Sequence, residues 1–208
     1  MPRSNIFCNA AAGLFGAWGV AVVVGMLLMG AYAARPGDAG APAARWPAGS
    51  ELRLDGRRPT LLFFLHPRCP CSRASLAELA VILDRCGGRI SAHAVLFGPR
   101  RGREDWVLPE FAAALAEMPG LAVSADRGGE EARRFGVATS GHVLLYDTRG
   151  ELVFSGGITP GRGERGDNLG RAALLGRIVG TRGECPENPV FGCPLATPRP
   201  DSDPGLRR

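Results

Sequence analysis

The chain of 208 residues contains no lysine: its 25 basic side chains are all arginine, set against 20 acids for a net charge of +5. The arginines are scattered among acids rather than gathered into a stripe, and no nucleic-acid-binding motif accompanies them. That is the pattern of a solvated, mildly basic surface, and it argues against nucleic acid as a partner. Gly156, Gly157, Gly161 and Gly163 lie in a glycine-rich stretch, but no Gly-Lys-Ser/Thr follows, so the stretch reads as a flexible connection rather than a phosphate cradle. No internal repeat is present. The longest absence is of charge: residues 10–34, AAAGLFGAWGVAVVVGMLLMGAYAA, carry none of either sign.

That run is long enough to span a bilayer, which takes ~20 apolar residues. It also exceeds the roughly 7–15-residue core of a secretory signal. The sequence therefore predicts an anchor over 10–34, with Ala31-Tyr32-Ala33 as a small-residue cleavage pattern if the segment is instead removed. Arg3 in the short segment 1–9 holds that end in the cytoplasm. The expected location is the inner (cytoplasmic) membrane, single-pass, with everything C-terminal in the oxidising periplasm. Residues 35–50, rich in Pro, Gly and Ala, read as a linker. The domain proper is expected at 51–180, followed by a Pro-rich tail over 181–208 that carries Cys185 and Cys193.

Within 51–180 the elements alternate. Glu51–Leu54 predicts a short edge strand. Leu61–Leu65, a continuous apolar run, predicts a strand buried on both faces. Leu76, Leu79, Ala80 and Leu83 make the apolar stripe of a helix ending at Cys86 and stopped by Gly87-Gly88. Ile90–Phe97 is a second strand, Trp106–Met118 a helix, Leu121–Val123 a strand before a turn at 126–129, and Glu130–Phe135 a short helix. Val143–Tyr146 and Leu152–Phe154 form a hairpin over Asp147–Gly150. Asp167 is the expected N-cap of a last helix, 168–179. Strands alternating with helices predict an α/β domain with a central mixed sheet flanked by helices.

Cys69-Pro70-Cys71 falls at the turn between the first buried strand and its helix. Pro70 suits a first helical turn, where its missing N–H has no partner anyway. Both sulfurs then sit at the positive end of the helix dipole, which favours thiolate. Cys86, in line with Leu79 and Leu83, reads as a buried thiol, His93 as structural, and Cys8 as a lone thiol at the inner membrane edge. No hydroxyl stands three residues before Cys69, which argues against a peroxide-reducing cysteine pocket.

Phe64-Leu65-His66-Pro67-Arg68-Cys69-Pro70-Cys71-Ser72-Arg73-Ala74 resembles the active-site segment of exported, membrane-anchored thioredoxin-like proteins of the TlpA/ResA type, and more closely a RedB-like branch with a shortened cysteine motif. The resemblance covers roughly Leu52 to Gly180. It implies a thioredoxin-like fold preceded by one transmembrane helix, and a thiol–disulfide oxidoreductase in which Cys69 attacks and Cys71 resolves. In the ungapped alignment Ser72 takes the slot of the family's second cysteine. Phe135–Tyr146 resembles the segment whose loop faces the cysteines, with Gly141 where that loop carries proline. Pro70, Gly141 and His142 are therefore the expected substrate-contacting residues. The implied partners are exported cysteine-containing proteins or metalloproteins and a membrane or periplasmic redox protein, with no cofactor. The alternative is a Sco-like module that binds copper as Cu(I) through Cys69, Cys71 and His142, thiolates being suitably soft ligands. Cys185 and Cys193 are expected to bridge each other; the other reading makes Cys193 a third redox cysteine reaching Cys69.

Overall fold

The computed structural model describes residues 3–100, 106–180 and 188–195, with side chains described from residue 12 onward. It divides into two units, Met1–Arg35 and Pro36–Arg208. The first is α1 (Arg3–Ala33), which continues unbroken past the expected boundary at residue 9. Its stretch Ala12–Ala33 is long and apolar enough to cross a membrane. Leu14, Trp18, Met26 and Leu27 are all exposed.

The second unit is built on β1 (Thr60–Leu65), β2 (Ser91–Gly98), β3 (Leu121–Arg127), β4 (His142–Tyr146) and β5 (Leu152–Gly157). They form one sheet in the order β3-β2-β1-β4-β5, in which β1 to β3 are parallel and β4 and β5 antiparallel. β1 is central, and no residue from Leu61 to Leu65 is more than 1% exposed. Its side chains alternate between two cores. Leu61, Phe63 and Leu65 pack with α2 (Cys71–Cys86), α3 (Pro109–Ala116) and α5 (Leu169–Ile178) through Leu79, Ile82, Phe111 and Leu174. Leu62 and Phe64 pack on the other face with Phe135, Leu144, Tyr146 and Leu195, beside α4 (Glu130–Arg134). With both faces covered, no polar alternation is needed, which is why the run is continuous in sequence. Removing one such ring, as in Phe63→Ala, costs about 3–5 kcal/mol.

This is the thioredoxin-like mixed sheet flanked by helices that the sequence predicts. α2 stops at Gly87, whose φ of 52° is left-handed, a conformation glycine adopts without steric cost. Four local expectations are corrected. Glu51–Leu54 is not a strand; Leu52 and Leu54 pack against the second core from an irregular segment. β3 runs to Arg127, through part of the expected turn, because its register with β2 continues to the Gly98–Arg127 pair. The N-cap of α5 is Asn168, whose side chain accepts from the Arg171 N–H at 2.7 Å; Asp167 pairs with the Arg171 guanidinium instead. Residues 36–50 do not hang free as a linker. Ala43 N–H donates to Phe135 O, Trp46 N–H to Gly150 O and Leu152 N–H to Ala44 O, while Trp46 sits edge-on to Phe135 and Tyr146. The Trp46 ring explains the order: a large apolar side chain within a weakly apolar stretch gives it a surface to bury.

Candidate functional site

The β1–α2 turn presents Cys69. After Leu65 the strand gives way to a tight turn in which Cys69 N–H donates to His66 O at 3.0 Å and Ser72 N–H to Cys69 O at 3.0 Å. Pro70 follows in helical conformation (φ −57°, ψ −33°) as the residue preceding α2, and its side chain is exposed. Cys71 is then the first helical residue, and its backbone N–H, with no partner inside the helix, is one of the donors to the Cys69 sulfur.

The facing loop is Thr139-Ser140-Gly141. Ser140 Oγ accepts from His66 N–H at 2.8 Å and lies 3.1 Å from Ser72 Oγ; Gly141 N–H donates to Phe64 O at 2.8 Å. Ser72, in the slot of the family's second cysteine, is buried, and its hydroxyl has His66 O, Ser140 Oγ and the Cys69 sulfur as partners for its single proton. The loop thus faces the cysteine turn as expected, but a third strip of chain covers it.

That strip is residues 188–195. Ser140 N–H donates to Cys193 O and Leu195 N–H to Ala138 O, an antiparallel bridge centred on Thr139 and Pro194. A second bridge joins Asn188 to Gly156, and Val190, Phe191 and Leu195 are buried. Gly192 passes so close to the loop that a Cβ there would lie 1.9 Å from Ser140 O, which excludes any larger residue. Arg162 Nη1 donates to Gly192 O at 2.9 Å. The outcome is that Cys193 Sγ stands 3.1 Å from Cys69 Sγ.

The three thiols have separated ionisation. Burial alone pushes the Cys69 thiol up. Hydrogen bonds from the Cys193 thiol, the backbone N–H groups of Cys193 and Cys71, and the Ser72 hydroxyl outweigh it, so its pKa falls below the ordinary thiol value. Cys71 is raised by burial and by the neighbouring Cys69 charge, and Cys193 is pushed up to about 12 by burial and its hydrogen bond to Cys69. The expectation that both sulfurs of the motif favour thiolate is corrected for Cys71: two like charges so close cannot both be held, and the stronger donor set belongs to Cys69. Cys69 itself is 3% exposed, beneath the covering strip.

His142 does not join this group. It is the first residue of β4, paired with Phe64, and fully buried. Val143 and Leu145 point into the core beneath α2, so His142, with Leu144 and Tyr146, points to the opposite face, where its Nε2 bonds Ser155 Oγ at 2.8 Å. The Cys69, Cys71 and His142 ligand set is therefore not assembled, and a substrate-contacting His142 is corrected with it. Among the described residues no group of three or more His, Cys, Asp or Glu side chains is placed to hold a metal ion. Gly141 lies in the facing loop but is covered: a Cβ built there would approach Ser75 Oγ at 3.2 Å and Phe191 O at 3.5 Å. His66 stacks on Phe97, edge-on to Trp106, and its Nδ1 accepts from Arg68 N–H, a structural role. Cys86 is a buried thiol at the end of α2, as expected. Cys185 lies outside the described residues, so its expected bridge to Cys193 does too. Sequence reasoning missed Ser140 and Arg162; no motif marks either, whereas the slot occupied by Ser72 did carry a signal.

No protein-family model matches the chain, and no curated protein matches it. Among solved structures it resembles a hypothetical protein from Sinorhizobium meliloti 1021, with 22% identity and a TM-score of 0.57 over 77% of this chain and 93% of that one. An uncharacterized conserved protein from Geobacillus kaustophilus shows 20% identity and a TM-score of 0.56 over 79% of this chain and 93% of that one. A secreted Mycobacterium tuberculosis disulfide oxidoreductase homologous to Escherichia coli DsbE follows at 17% identity and 0.43, over 61% and 83%. At these identities the first two likenesses show a shared fold.

Proposed function

We propose that the chain is a thiol–disulfide oxidoreductase of the exported, TlpA/ResA-like kind, closest to a RedB-like branch. In this reading α1 anchors it as a single pass in the inner membrane and the Pro36–Arg208 unit works in the periplasm on cysteine-containing proteins. Cys69 is the attacking thiolate, Cys71 or another nearby thiol completes the disulfide, and no cofactor takes part. The observation that carries the reading is the state of Cys69: a thiol with lowered pKa at the entrance to a helix, with a second sulfur at 3.1 Å. Thiol–disulfide exchange requires that combination of a stabilised thiolate and a close second thiol.

The test is a redox titration of the full chain in detergent, with and without Cys69→Ser. A reversible two-electron couple in the range of roughly −300 to −120 mV, absent from Cys69→Ser, is expected. A couple that persists unchanged in Cys69→Ser would overturn the reading. Stoichiometric Cu(I) uptake lost in Cys69→Ser, with no such couple, would place the protein among metal-handling modules instead.

A further inference from the structure

We propose that Cys193 is the resolving thiol of this site: the working couple is Cys69–Cys193, and Cys71 stands outside it. The inference rests on the reading of Cys69 as the exchange nucleophile and names its partner.

Geometry favours Cys193 over Cys71 on two independent counts. Cys71 opens α2 directly after Pro70, and although its thiol also hydrogen-bonds the Cys69 sulfur, the two cysteines are separated by a single residue on a turn already closed by its own backbone hydrogen bonds. A Cys69–Cys71 bridge would close a small, constrained ring across Pro70 within that turn. Cys193 closes no such ring, its sulfur already lying 3.1 Å from Cys69. The second count is how Cys193 is held. The bridges at Thr139–Pro194 and Gly156–Asn188, the buried Val190, Phe191 and Leu195, and the close passage of Gly192 over Ser140 O fix its register on both sides. Its backbone N–H and its thiol both donate to the Cys69 sulfur, so the strip also supplies part of the donor set that stabilises the nucleophile.

The chemistry proceeds in two balanced steps. The Cys69 thiolate attacks a substrate disulfide; a Cys69–substrate bond forms, the substrate S–S bond breaks, and one substrate thiolate leaves. That step removes the negative charge beside Cys193, one of the causes that hold its thiol protonated. The Cys193 proton passes to the departed thiolate. The new Cys193 thiolate then attacks Cys69 Sγ, forming the Cys69–Cys193 disulfide and releasing the second substrate thiolate. One substrate disulfide is reduced by two electrons, and a dithiol reductant is needed to reset the pair. Cys69 is 3% exposed, so substrate enters when residues 192–194 lift and the Thr139–Pro194 bridge opens, and the Gly156–Asn188 bridge with the buried Val190 and Leu195 on either side returns Cys193 for the second step.

The test uses the reduced full chain in detergent and a symmetrical aryl disulfide, whose release of the first and second aryl thiolate is followed separately. Wild type, Cys71→Ser and Cys185→Ser are expected to release the second thiolate at similar rates. Cys193→Ala is expected to keep the aryl adduct on the Cys69–Arg73 tryptic peptide, with second release slowed by a factor on the order of 10² or more as the intramolecular attack is lost. Slowing in Cys71→Ser, alone or together with Cys193→Ala, would overturn the inference while leaving the nucleophile in place. First release unchanged in Cys69→Ala would instead remove the reading beneath it. A check that needs no variant is disulfide mapping of the oxidised wild type: a link from the Cys69–Arg73 peptide to Cys193 is expected, and a disulfide closed within that peptide would contradict it.

Discussion

Two segments meet at the Cys69 sulfur, and they are held by different means. The β1–α2 turn hangs from a strand buried on both faces and from a helix tied down by a buried ion pair. Glu78 on α2 accepts from the Arg171 guanidinium on α5 and, at 2.8 Å, from Gly166 N–H. The strip 188–195 is held instead by two isolated bridges, single hydrogen bonds from Gly37 N–H to Val190 O and from Arg162 to Gly192 O, and a few apolar side chains. Cys69, the proposed nucleophile, therefore sits between the central strand and its helix, and its sulfur partner on a strip that belongs to neither strand nor helix. A site that must admit a substrate and close behind it draws its moving element from the low-stability end of the structure.

The sharpest way to break this comparison is at the turn's own sulfur. Cys69→Ser is expected to reduce disulfide exchange to the uncatalysed background while Cys86→Ala leaves it in place; rates with a dithiol and a protein disulfide substrate check this. Next comes the tether. Glu78→Gln leaves the buried Arg171 with only the solvent-exposed Asp167 carboxylate as partner charge and should lower global stability by up to about 3–5 kcal/mol, read by urea unfolding. Smaller is the acid response of the scaffold. Burial holds His142 neutral with a pKa of about 4, whereas in the unfolded chain it takes a proton near 6.5. The unfolded state binds more protons between those values, so stability is full above the upper value and falls as pH drops toward about 4. The loss is on the order of 3 kcal/mol at 1.36 kcal/mol per unit, and His142→Gln should flatten it. The mildest change loosens only the strip. Leu195→Ala removes one anchor, and Cys69 alkylation should rise by roughly tenfold or more, since each 1.4 kcal/mol of local opening is a factor of ten. The urea midpoint of the domain should move far less than in Glu78→Gln.

The same contrast decides what the sequence revealed. β1, α2 and the cysteine turn were legible because each carries a local signature: a two-face apolar run, a stripe at helical spacing, a proline in the first turn. The strip was not, because Asn188-Pro189-Val190-Phe191-Gly192-Cys193-Pro194-Leu195 has neither period. Its two prolines and one glycine read as loop, and its order comes from pairing with Thr139 and Gly156, dozens of residues away in sequence. Residues 36–50 were misread for the same reason, their order coming from Trp46 against Phe135 and Tyr146. His142 was placed at the loop by the resemblance, which sets it directly after the loop's proline position, whereas the structure makes it the first residue of β4. One position of β-alternation sends its side chain to the face away from α2.

The most direct test of the account is the pH dependence of iodoacetamide alkylation at Cys69, read on the Cys69–Arg73 peptide of the full chain carrying Cys71→Ser. A midpoint below the ordinary thiol value, moving upward when Cys193→Ala removes the thiol donor, is the predicted result. A midpoint at or above the ordinary value, unmoved by Cys193→Ala, would contradict it.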